Sequence, residues 1–359
     1  MLQDKLNNKK NQVIADETVD KSNKDENKLR ISKKNIKIIL SLLFVGVLGM
    51  AGGFYAGKEV GRTLPATHRN YSKSQVLATV GDVKITGDDL AKRMNPYFYY
   101  YGLKELSNEE VESQEVDNLN YMTNLEALYQ AGVEDKIEVT NKEVNEDYTS
   151  TMSSIESKFN LTEKEFLNKF NLTKEYIKAN LKKELIAKKY LEENSQVSEK
   201  EAKNYYNKNK EDFFKVRASH ILISNRDKDG NELSDKEKEK NKKLAEKILK
   251  RAQKGESFDD LALEYSDDSY TSSKGGDLGY FGEGDMVDAF EKAAFSLKDN
   301  EIYNGVVETT YGYHIIKRTG GQYSSFDDEK DSLIEELTSN KQNLLLQDAL
   351  KKYEVKVNI

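Results

Sequence analysis

Glycine and proline are distributed unevenly along the chain, and this distribution limits the folds that it can adopt. Neither residue occurs from Val133 to Asp229, whereas the stretch from Gly230 to Gly321 holds 11 of the 21 glycines. Both residues weaken or break helices, so a long segment without them favours helix. Glycine also supplies the positive φ angles of tight turns. The chain is therefore predicted to combine a mostly helical part with a turn-rich part of α+β type.

Helix-start signals recur in the part without glycine and proline, and one more precedes it at Ser107. A capping box places Ser or Thr three residues before Glu, and each side chain bonds to the backbone beside the other. This spacing occurs at Ser107–Glu110, Thr140–Glu143, Thr162–Glu165 and Ser198–Glu201. An apolar residue precedes each Ser or Thr, as in a hydrophobic staple. We therefore predict several short helices separated by caps.

Both flanks of the turn-rich part carry complementary signals. Val76–Thr86 reads VLATVGDVKIT, two strand-like runs around Gly81-Asp82, which is typical of a β-hairpin. On the other flank, Ser325–Lys352 is predicted to be a helix, and Tyr353–Ile359 alternates as a strand does. Because a terminal strand needs a partner, we expect it to pair with the hairpin. The two flanks then form one composite domain.

The turn-rich part alternates short strands and helices. Runs rich in β-branched residues predict strands, and apolar residues at helical spacing predict helices. The pattern predicts strand Val216–Ile223, helix Ser234–Ala252, helix Phe258–Tyr265, strand Asp277–Phe281, helix Val287–Leu297 and a closing hairpin of Val306-Val307 with Tyr313–Arg318. Strands and helices mixed at this density indicate a small α+β domain.

A charge-free apolar run precedes all of these elements. Ile38–Ala56 holds 19 residues without a charge, and at about 1.5 Å per residue it spans about 28 Å, close to the thickness of a bilayer core. An uncleaved transmembrane helix is the favoured interpretation, with a cleaved signal peptide and a buried core helix as alternatives. Basic residues without acids just before the run favour a cytoplasmic N-terminus. Residues 1–30 are polar and are predicted to be disordered.

Composition excludes several classes of site. The chain carries 56 Lys and Arg against 63 Asp and Glu, a net charge of −7, which argues against nucleic acid as a partner. Without cysteine there is no disulfide, thiolate nucleophile, Cys-ligated zinc or lipid-modified cysteine. The three histidines, His68, His220 and His314, are too dispersed for a three-His metal site to be expected. No metal and no cofactor is predicted.

Two of the three histidines fall in the middle of predicted strands. Alternation along the first strand places His220 on the same face as Val216 and Ala218, and on the last strand His314 shares a face with Ile316. Two strand histidines in one small domain are consistent with a functional site. They are also consistent with two separate core histidines that make structural hydrogen bonds, and the residue pattern leaves both interpretations open.

The order of several separated motifs resembles the parvulin family of peptidyl-prolyl isomerases. The motifs are ASHILI, LALEYSDD, GGDLGYF, GDMVDAFEKAAFSL and TTYGYHIIKRT, and they run through residues 213–320. The resemblance implies that His220, Asp268 and His314 form the polar floor of an active site. Isomerisation of an X–Pro amide breaks no covalent bond, so this site requires neither a nucleophile nor a metal.

The resemblance also implies which residues contact substrate. It assigns Leu278, Met286 and Phe290 to an apolar pocket for the proline ring, and Tyr311 to a substrate-binding position where some members carry a hydroxyl residue. Ordinary core packing remains the alternative for Met286 and Phe290. Parvulins that require a phosphorylated residue carry a basic cluster after the first strand. Here that loop reads SNRDKDGNELSD with Arg226 among several acids, so we predict no phosphate requirement.

The surroundings of this domain resemble the PrsA and SurA foldases. In those families a helical domain built from both flanks handles unfolded clients, and the resemblance implies partners that are unfolded or partly folded exported proteins with X–Pro bonds. Related foldases can dimerise, so a homodimer is also implied. The chain departs from typical PrsA proteins because it lacks a lipid-anchoring cysteine. The aromatic run Tyr97–Tyr101 is either a client-contact surface or a buried helix flank.

These inferences combine into one domain plan. We expect a cytoplasmic disordered tail at 1–35, a transmembrane helix at 36–57, a helical foldase domain at 76–212 plus 322–359, and an inserted parvulin domain at 213–320. The predicted protein is a single-pass membrane foldase with its isomerase domain outside the cytoplasm. The alternative function is a holdase chaperone whose parvulin domain is structural or docks peptides with weak catalysis.

Overall fold

The structure is a computed structural model that describes residues 71–101 and 107–358. The chain divides into two compact units. The helical unit contains the described residues up to Val197 and those from Glu335 onward, and the mixed unit is Ser198–Ile334. The predicted tail at 1–35 and membrane helix at 36–57 lie outside the described residues. Among the residues that are described, no helix has the length and apolar character to cross a membrane.

Seven strands and ten α-helices make up the described ranges 71–101 and 107–358. In chain order they are β1 Val76–Val80, β2 Val83–Thr86, α1 Gly87–Tyr101, α2 Asn108–Glu134, α3 Asn141–Phe159, α4 Glu163–Phe170, α5 Lys174–Asn194, α6 Glu199–Lys208, β3 Phe214–Ser224, α7 Asp235–Gln253, α8 Phe258–Tyr265, β4 Asp277–Phe281, α9 Asp288–Ser296, β5 Val307–Glu308, β6 Gly312–Tyr323, α10 Phe326–Lys352 and β7 Lys356–Val357. Short 3₁₀ turns occupy Lys210–Phe213 and Ser272–Lys274.

The predicted hairpin and terminal strand form one sheet in the helical unit. Its strand order is β2-β1-β7, and β1 pairs antiparallel with both neighbours. Gly81 at the hairpin turn has φ +57°, a left-handed conformation that glycine adopts without a Cβ clash. Ala78 lies opposite Val357, so the two flanks of the chain meet in this sheet, as predicted.

The predicted capping boxes begin four of the helices. In each, the Ser or Thr side chain accepts the backbone N–H three residues on, and the Glu carboxylate accepts the backbone N–H of the cap. For example, the Thr140 N–H donates to Glu143 Oε2 at 2.8 Å. Asn160 and Asn171 directly follow helices α3 and α4 and cap them in the left-handed conformation. One helix, α2, is longer than the short helices expected, at 27 residues.

The aromatic run on α1 is divided between two cores of the helical unit. Phe98 is 1% exposed in a core that includes Leu77, Leu119 and Leu128, whereas Tyr99 is 9% exposed in a core built by α3, α4 and α5. Successive helical residues point about 100° apart, so neighbours reach different cores. For Phe98 and Tyr99, the buried-flank alternative therefore holds and the client-contact alternative does not.

The mixed unit has the predicted α+β architecture. Its antiparallel sheet has the order β4-β3-β6-β5, and β3 pairs with β6 from Phe214 opposite Tyr323 to Ser224 opposite Gly312. One face carries an apolar core with α7 and α8, and the other face carries a core with α9. The sheet thus separates two helical layers within the unit.

The mixed unit extends beyond residues 213–320 on both sides. Tyr206 on α6 packs against the rings of Phe213 and Phe326, at centroid distances of 4.8 and 5.8 Å. Its hydroxyl donates to the carbonyl of Ser324 at 2.6 Å. These contacts join α6 and the start of α10 to the sheet.

Candidate active site

The two strand histidines lie side by side on one face of the central strand pair. On β3 and β6, His220 is opposite Ile316 and His314 is opposite Leu222, so both imidazoles point to the same face. The rings are stacked at 18° with centroids 5.4 Å apart. Their Nδ1 atoms are 3.1 Å apart, and the residues are 6% and 4% exposed. The two histidines are therefore in direct contact and are not separate core residues.

Asp268 reaches this pair from the loop that follows α8. Its Oδ2 lies 2.8 Å from His220 Nε2, and it also accepts the Thr271 hydroxyl. The loop is held along β3, because the Asp267 N–H donates to the carbonyl of Leu222 at 2.8 Å. The carboxylate therefore has a fixed position relative to the strand histidines.

Burial and hydrogen bonding together control the charge of the three groups. Burial lowers the pKa of His314 to about 4, and neighbouring His220 acts in the same direction. Burial also lowers the pKa of His220 below its ordinary value, against the opposing effect of Asp268. Burial alone would raise the pKa of Asp268, but hydrogen bonds from Thr271 and His220 outweigh it, so the pKa lies below its usual range. Near neutral pH the site holds two neutral imidazoles and one carboxylate.

These charge states fix the direction of each hydrogen bond. An ionised Asp268 can only accept, so His220 Nε2 carries the proton and its Nδ1 is an acceptor. His314 therefore donates from Nδ1 to His220 Nδ1 and accepts at Nε2. Thr309 Oγ1 is 2.8 Å from His314 Nε2 and donates to it. Three protons thus point in one direction along the chain of groups, from Thr309 to Asp268.

An apolar ring closes the other side of the histidines. The Phe290 ring on α9 meets both imidazoles edge-on, at centroid distances of 5.7 Å to His220 and 5.4 Å to His314. Phe290 is 3% exposed in the core shared with α9, and Leu278 and Met286 are half-buried against that same core. The predicted polar and apolar sets therefore meet at one place.

Tyr311 differs from the other predicted site residues. Its residue is 57% exposed, and its backbone N–H donates to Thr309 Oγ1 at 3.1 Å. The backbone of Tyr311 is thus attached to the end of the hydrogen-bonded chain, while the structure leaves its phenol outside the buried group.

A glycine brings the loop before β4 against His220. The His220 N–H donates to the carbonyl of Gly276 at 2.9 Å, and Gly276 has φ +76°. A Cβ at this position would lie 2.0 Å from the His220 carbonyl oxygen. Only glycine allows this approach of loop to strand.

Sequence reasoning missed three residues that hold this site: Thr309, Thr271 and Gly276. Thr309 and Thr271 are ordinary hydroxyl residues in loops, and only their distances to His314 and Asp268 reveal them. The Gly275-Gly276 pair was a visible turn signal, but the pairing with β3 was not. Within residues 71–101 and 107–358, no group of three His, Asp or Glu side chains could hold a metal ion.

Residues 203–322 match the family described as PPIC-type PPIASE domain. This range contains the sheet, the stacked histidines, Asp268 and Phe290. The mixed unit therefore carries a parvulin-type peptidyl-prolyl isomerase domain, as the motifs indicated.

Proteins similar in sequence to this chain are described as foldase protein PrsA. Foldase protein PrsA from Geobacillus sp. strain WCH70 is 30% identical over 273 residues, which are 76% of this chain and 82% of that protein. PrsA from Caldanaerobacter subterraneus subsp. tengcongensis is 38% identical over 62% of each chain. PrsA from Bacillus subtilis is 41% identical over 52% of this chain and 57% of its own. The chain belongs to the PrsA foldase family.

The share of each similar protein that this chain spans differs from one protein to another. The chain spans less than two thirds of the length of the PrsA proteins from C. subterraneus and B. subtilis that it matches. A crystal structure of peptidylprolyl isomerase PrsA from Bacillus anthracis is 29% identical, with 67% of this chain and 99% of that chain covered and a TM-score of 0.34.

Proposed function

We propose that this chain catalyses cis–trans isomerisation of X–Pro bonds in exported proteins and assists their folding. The observation that carries the proposal is the buried group of His220, His314 and Asp268 packed edge-on against Phe290. A structural role alone does not require two stacked imidazoles and a carboxylate beside a half-buried apolar cup.

The reaction needs stabilisation of a twisted amide. The X–Pro bond prefers trans by only about 0.5–1 kcal/mol, but rotation meets a barrier of about 18–20 kcal/mol because resonance makes the bond partly double. A catalyst must therefore bind the twisted amide better than the planar amide. No covalent bond to carbon, nitrogen or oxygen has to form or break.

The proposed site residues divide this work. Leu278, Met286 and Phe290 hold the proline ring in an apolar cup and exclude water from the carbonyl, which disfavours the charge-separated planar form. The ordered protons of Thr309, His314 and His220 all point to acceptors within the buried group. None of these three protons is left to donate to the planar carbonyl. The polar floor thus fixes the shape of the cup without stabilising the ground state.

We further propose the domain plan and location for the whole chain. The helical domain at 76–212 plus 322–359 handles unfolded segments, and the domain at 213–320 isomerises prolines in them. An N-terminal helix at 36–57 holds the chain in the cell membrane with both domains outside the cytoplasm, and a homodimer can form. Membership of the PrsA foldase family supports these proposals.

The loop after β3 supports a site without phosphate recognition. Arg226 Nη1 donates to the carbonyl of Gly230 at 2.9 Å within the same loop. Asp227 in this loop accepts the backbone N–H groups of Asp229 and Asn231. The arginine thus donates to the backbone of its own loop, and we propose that clients need no phosphorylated residue before proline.

A protease-coupled proline-peptide assay on the full chain tests the proposal. We expect Met286→Ala and His220→Ala to lower kcat/KM by at least about tenfold, since tenfold corresponds to only about 1.4 kcal/mol of transition-state binding. Leu263→Ala is the matched control, because Leu263 is 65% exposed and outside the proposed cup. Its rate should equal that of the wild type.

The holdase alternative predicts a different outcome. If the wild type does not exceed the uncatalysed rate but still suppresses aggregation of an unfolded protein, the chain is a chaperone and the catalytic assignment is wrong. If the rate is high and unchanged in both site variants, catalysis does not reside at this site.

A further inference from the structure

Helix α7 has two contrasting faces. Its buried face consists of Ala245, Ile248, Leu249 and Ala252, which pack on the sheet. The opposite face carries the exposed lysines Lys236, Lys240, Lys243, Lys247 and Lys250, and exposed Lys254 continues the row directly after the helix. We call these six residues the lysine stripe. Their spacing alternates between four and three residues, so on an α-helix all six lie within about 40° of one line.

The stripe is long and narrow. Its 18-residue extent corresponds to about 27 Å, and successive lysines are separated by about 4.5–6 Å along the axis. Lys254 follows directly on the last helical residue, Gln253. No acid lies on the line itself, and Glu239 and Glu246 border it on one side. Among the described ion pairs, Lys243 of the stripe pairs with the bordering Glu239 at 3.3 Å, between exposed side chains.

This arrangement opposes the general charge of the chain. The chain has a net charge of −7, yet the stripe carries six positive charges without an acid on its line. Like charges three or four residues apart destabilise a helix, and the stripe repeats that spacing five times. A solvated surface helix is more stable with acids interspersed, so the segregation points to an anionic ligand.

The stripe lies away from the proposed active site. Helix α7 packs on the sheet face that carries Ile221 and Ile315, whereas His220 and Phe290 occupy the other face. A ligand along the stripe therefore leaves the proline cup open.

We propose that the lysine stripe binds a linear polyphosphate anion that runs along α7. A row one residue wide matches a chain of regularly spaced phosphates. A flat anionic lipid surface would also meet Glu239 and Glu246 beside the row, which disfavours it. The inference stands on the stripe alone and is independent of the isomerase assignment.

Binding of long-chain inorganic polyphosphate to the full chain tests the proposal. In the stripe variant all six lysines are changed to glutamine, from Lys236→Gln to Lys254→Gln. The matched control changes six exposed lysines that lie elsewhere: Lys164, Lys182, Lys200, Lys208, Lys228 and Lys292. Both variants lose six charges, so they differ only in where the charges lie. Circular dichroism and thermal unfolding check that each remains folded.

The proposal predicts a specific pattern. Wild-type affinity should fall with salt with a log–log slope of about −4, since each contact with a single-stranded polyanion contributes about −0.7. The stripe variant should bind at least about tenfold more weakly at low salt, and the scattered variant should stay close to the wild type. Orthophosphate at equal phosphate concentration should not compete.

Three outcomes would overturn it. If both variants bound polyphosphate equally more weakly than the wild type, only the net charge would matter. If the wild type did not bind polyphosphate, polyphosphate would be excluded as the ligand. Stripe-dependent binding to phosphatidylglycerol vesicles without binding to polyphosphate would identify a lipid surface instead.

Discussion

At the scale of single residues, proton positions are the property that matters most in the site. His220 and His314 are adjacent bases, and two imidazolium ions with their Nδ1 atoms 3.1 Å apart would repel strongly. Burial keeps the pKa of both imidazoles low, and the Asp268 carboxylate selects the tautomer of His220. The same groups therefore make the stability of the mixed unit sensitive to acid.

Stability of the mixed unit should fall between about pH 6.5 and pH 4. In this window an unfolded His314 binds a proton, whereas the folded residue, with its pKa near 4, does not. The unfolded state then gains stability as pH falls, by up to about 1.4 kcal/mol per pH unit. Urea unfolding at several pH values, followed by NMR signals of Ile221 and Ile315, measures this slope.

His314→Gln is the matched variant for this measurement. Its amide can donate to His220 and accept from Thr309 but does not titrate. Above pH 6.5 the two proteins should respond alike to pH, and below it the wild type should lose stability more steeply. Parallel curves from pH 7 to pH 4 would show that His314 is not the buried neutral base described above.

At the scale of elements, the site depends on a close approach between the loop before β4 and strand β3. Gly276 and Gly279 both have positive φ, at +76° and +72°, but their surroundings differ. A Cβ on Gly276 would meet the backbone of His220, whereas a Cβ on Gly279 would have no atom within 4 Å. Substituting each of these two glycines by alanine therefore separates the cost of backbone strain from the cost of a steric clash.

Gly279→Ala should destabilise the mixed unit by about 1–2 kcal/mol, the cost of a left-handed conformation for an L-residue. Gly276→Ala carries the same strain and a clash, so it should cost about 1–3 kcal/mol more. It should also displace His220 and lower the proline-peptide rate, which Gly279→Ala should leave nearly unchanged. Equal effects of the two substitutions on stability and rate would refute the close approach.

At the scale of the whole molecule, the helical unit is closed by the two flanks of the chain. Strand β7 pairs with β1, the Asn358 N–H donates to the Leu77 carbonyl at 2.7 Å, and the Gly81 N–H donates to the Tyr353 carbonyl at 2.6 Å. The Tyr353 hydroxyl donates to Glu134 Oε2 at 2.7 Å. The last residues are therefore part of the core sheet of this unit.

A chain that ends at Lys352 should lose about 3 kcal/mol or more in the helical unit, at about 1 kcal/mol for each of three hydrogen bonds. Hydrogen exchange of the β1 amides measures the loss. Lys356→Ala is the control, because its side chain is exposed and its removal should change stability by less than about 0.5 kcal/mol. Unchanged β1 protection in the truncated chain would contradict the role assigned to β7.

Local signals in the sequence determined most element starts. The capping boxes, the Gly81 turn and the β-branched runs act within a few residues, so helices, hairpin and strands could be predicted. The end of β6 could not, since Gly320-Gly321 read as a strand end. Pairing of β3 with β6 carries the strand through them to Tyr323.

Features that depend on contacts between distant parts of the chain were visible only in the tertiary structure. The order of motifs identified the family and proposed His220, Asp268 and His314, yet the roles of Thr309 and Gly276 follow from contacts across strands and loops. The burial of Phe98 and Tyr99 likewise depends on which helices pack beside α1. The pattern of side chains specifies local conformation. The direction of the hydrogen bonds in the site and the burial of its side chains arise only when distant segments pack together and exclude water.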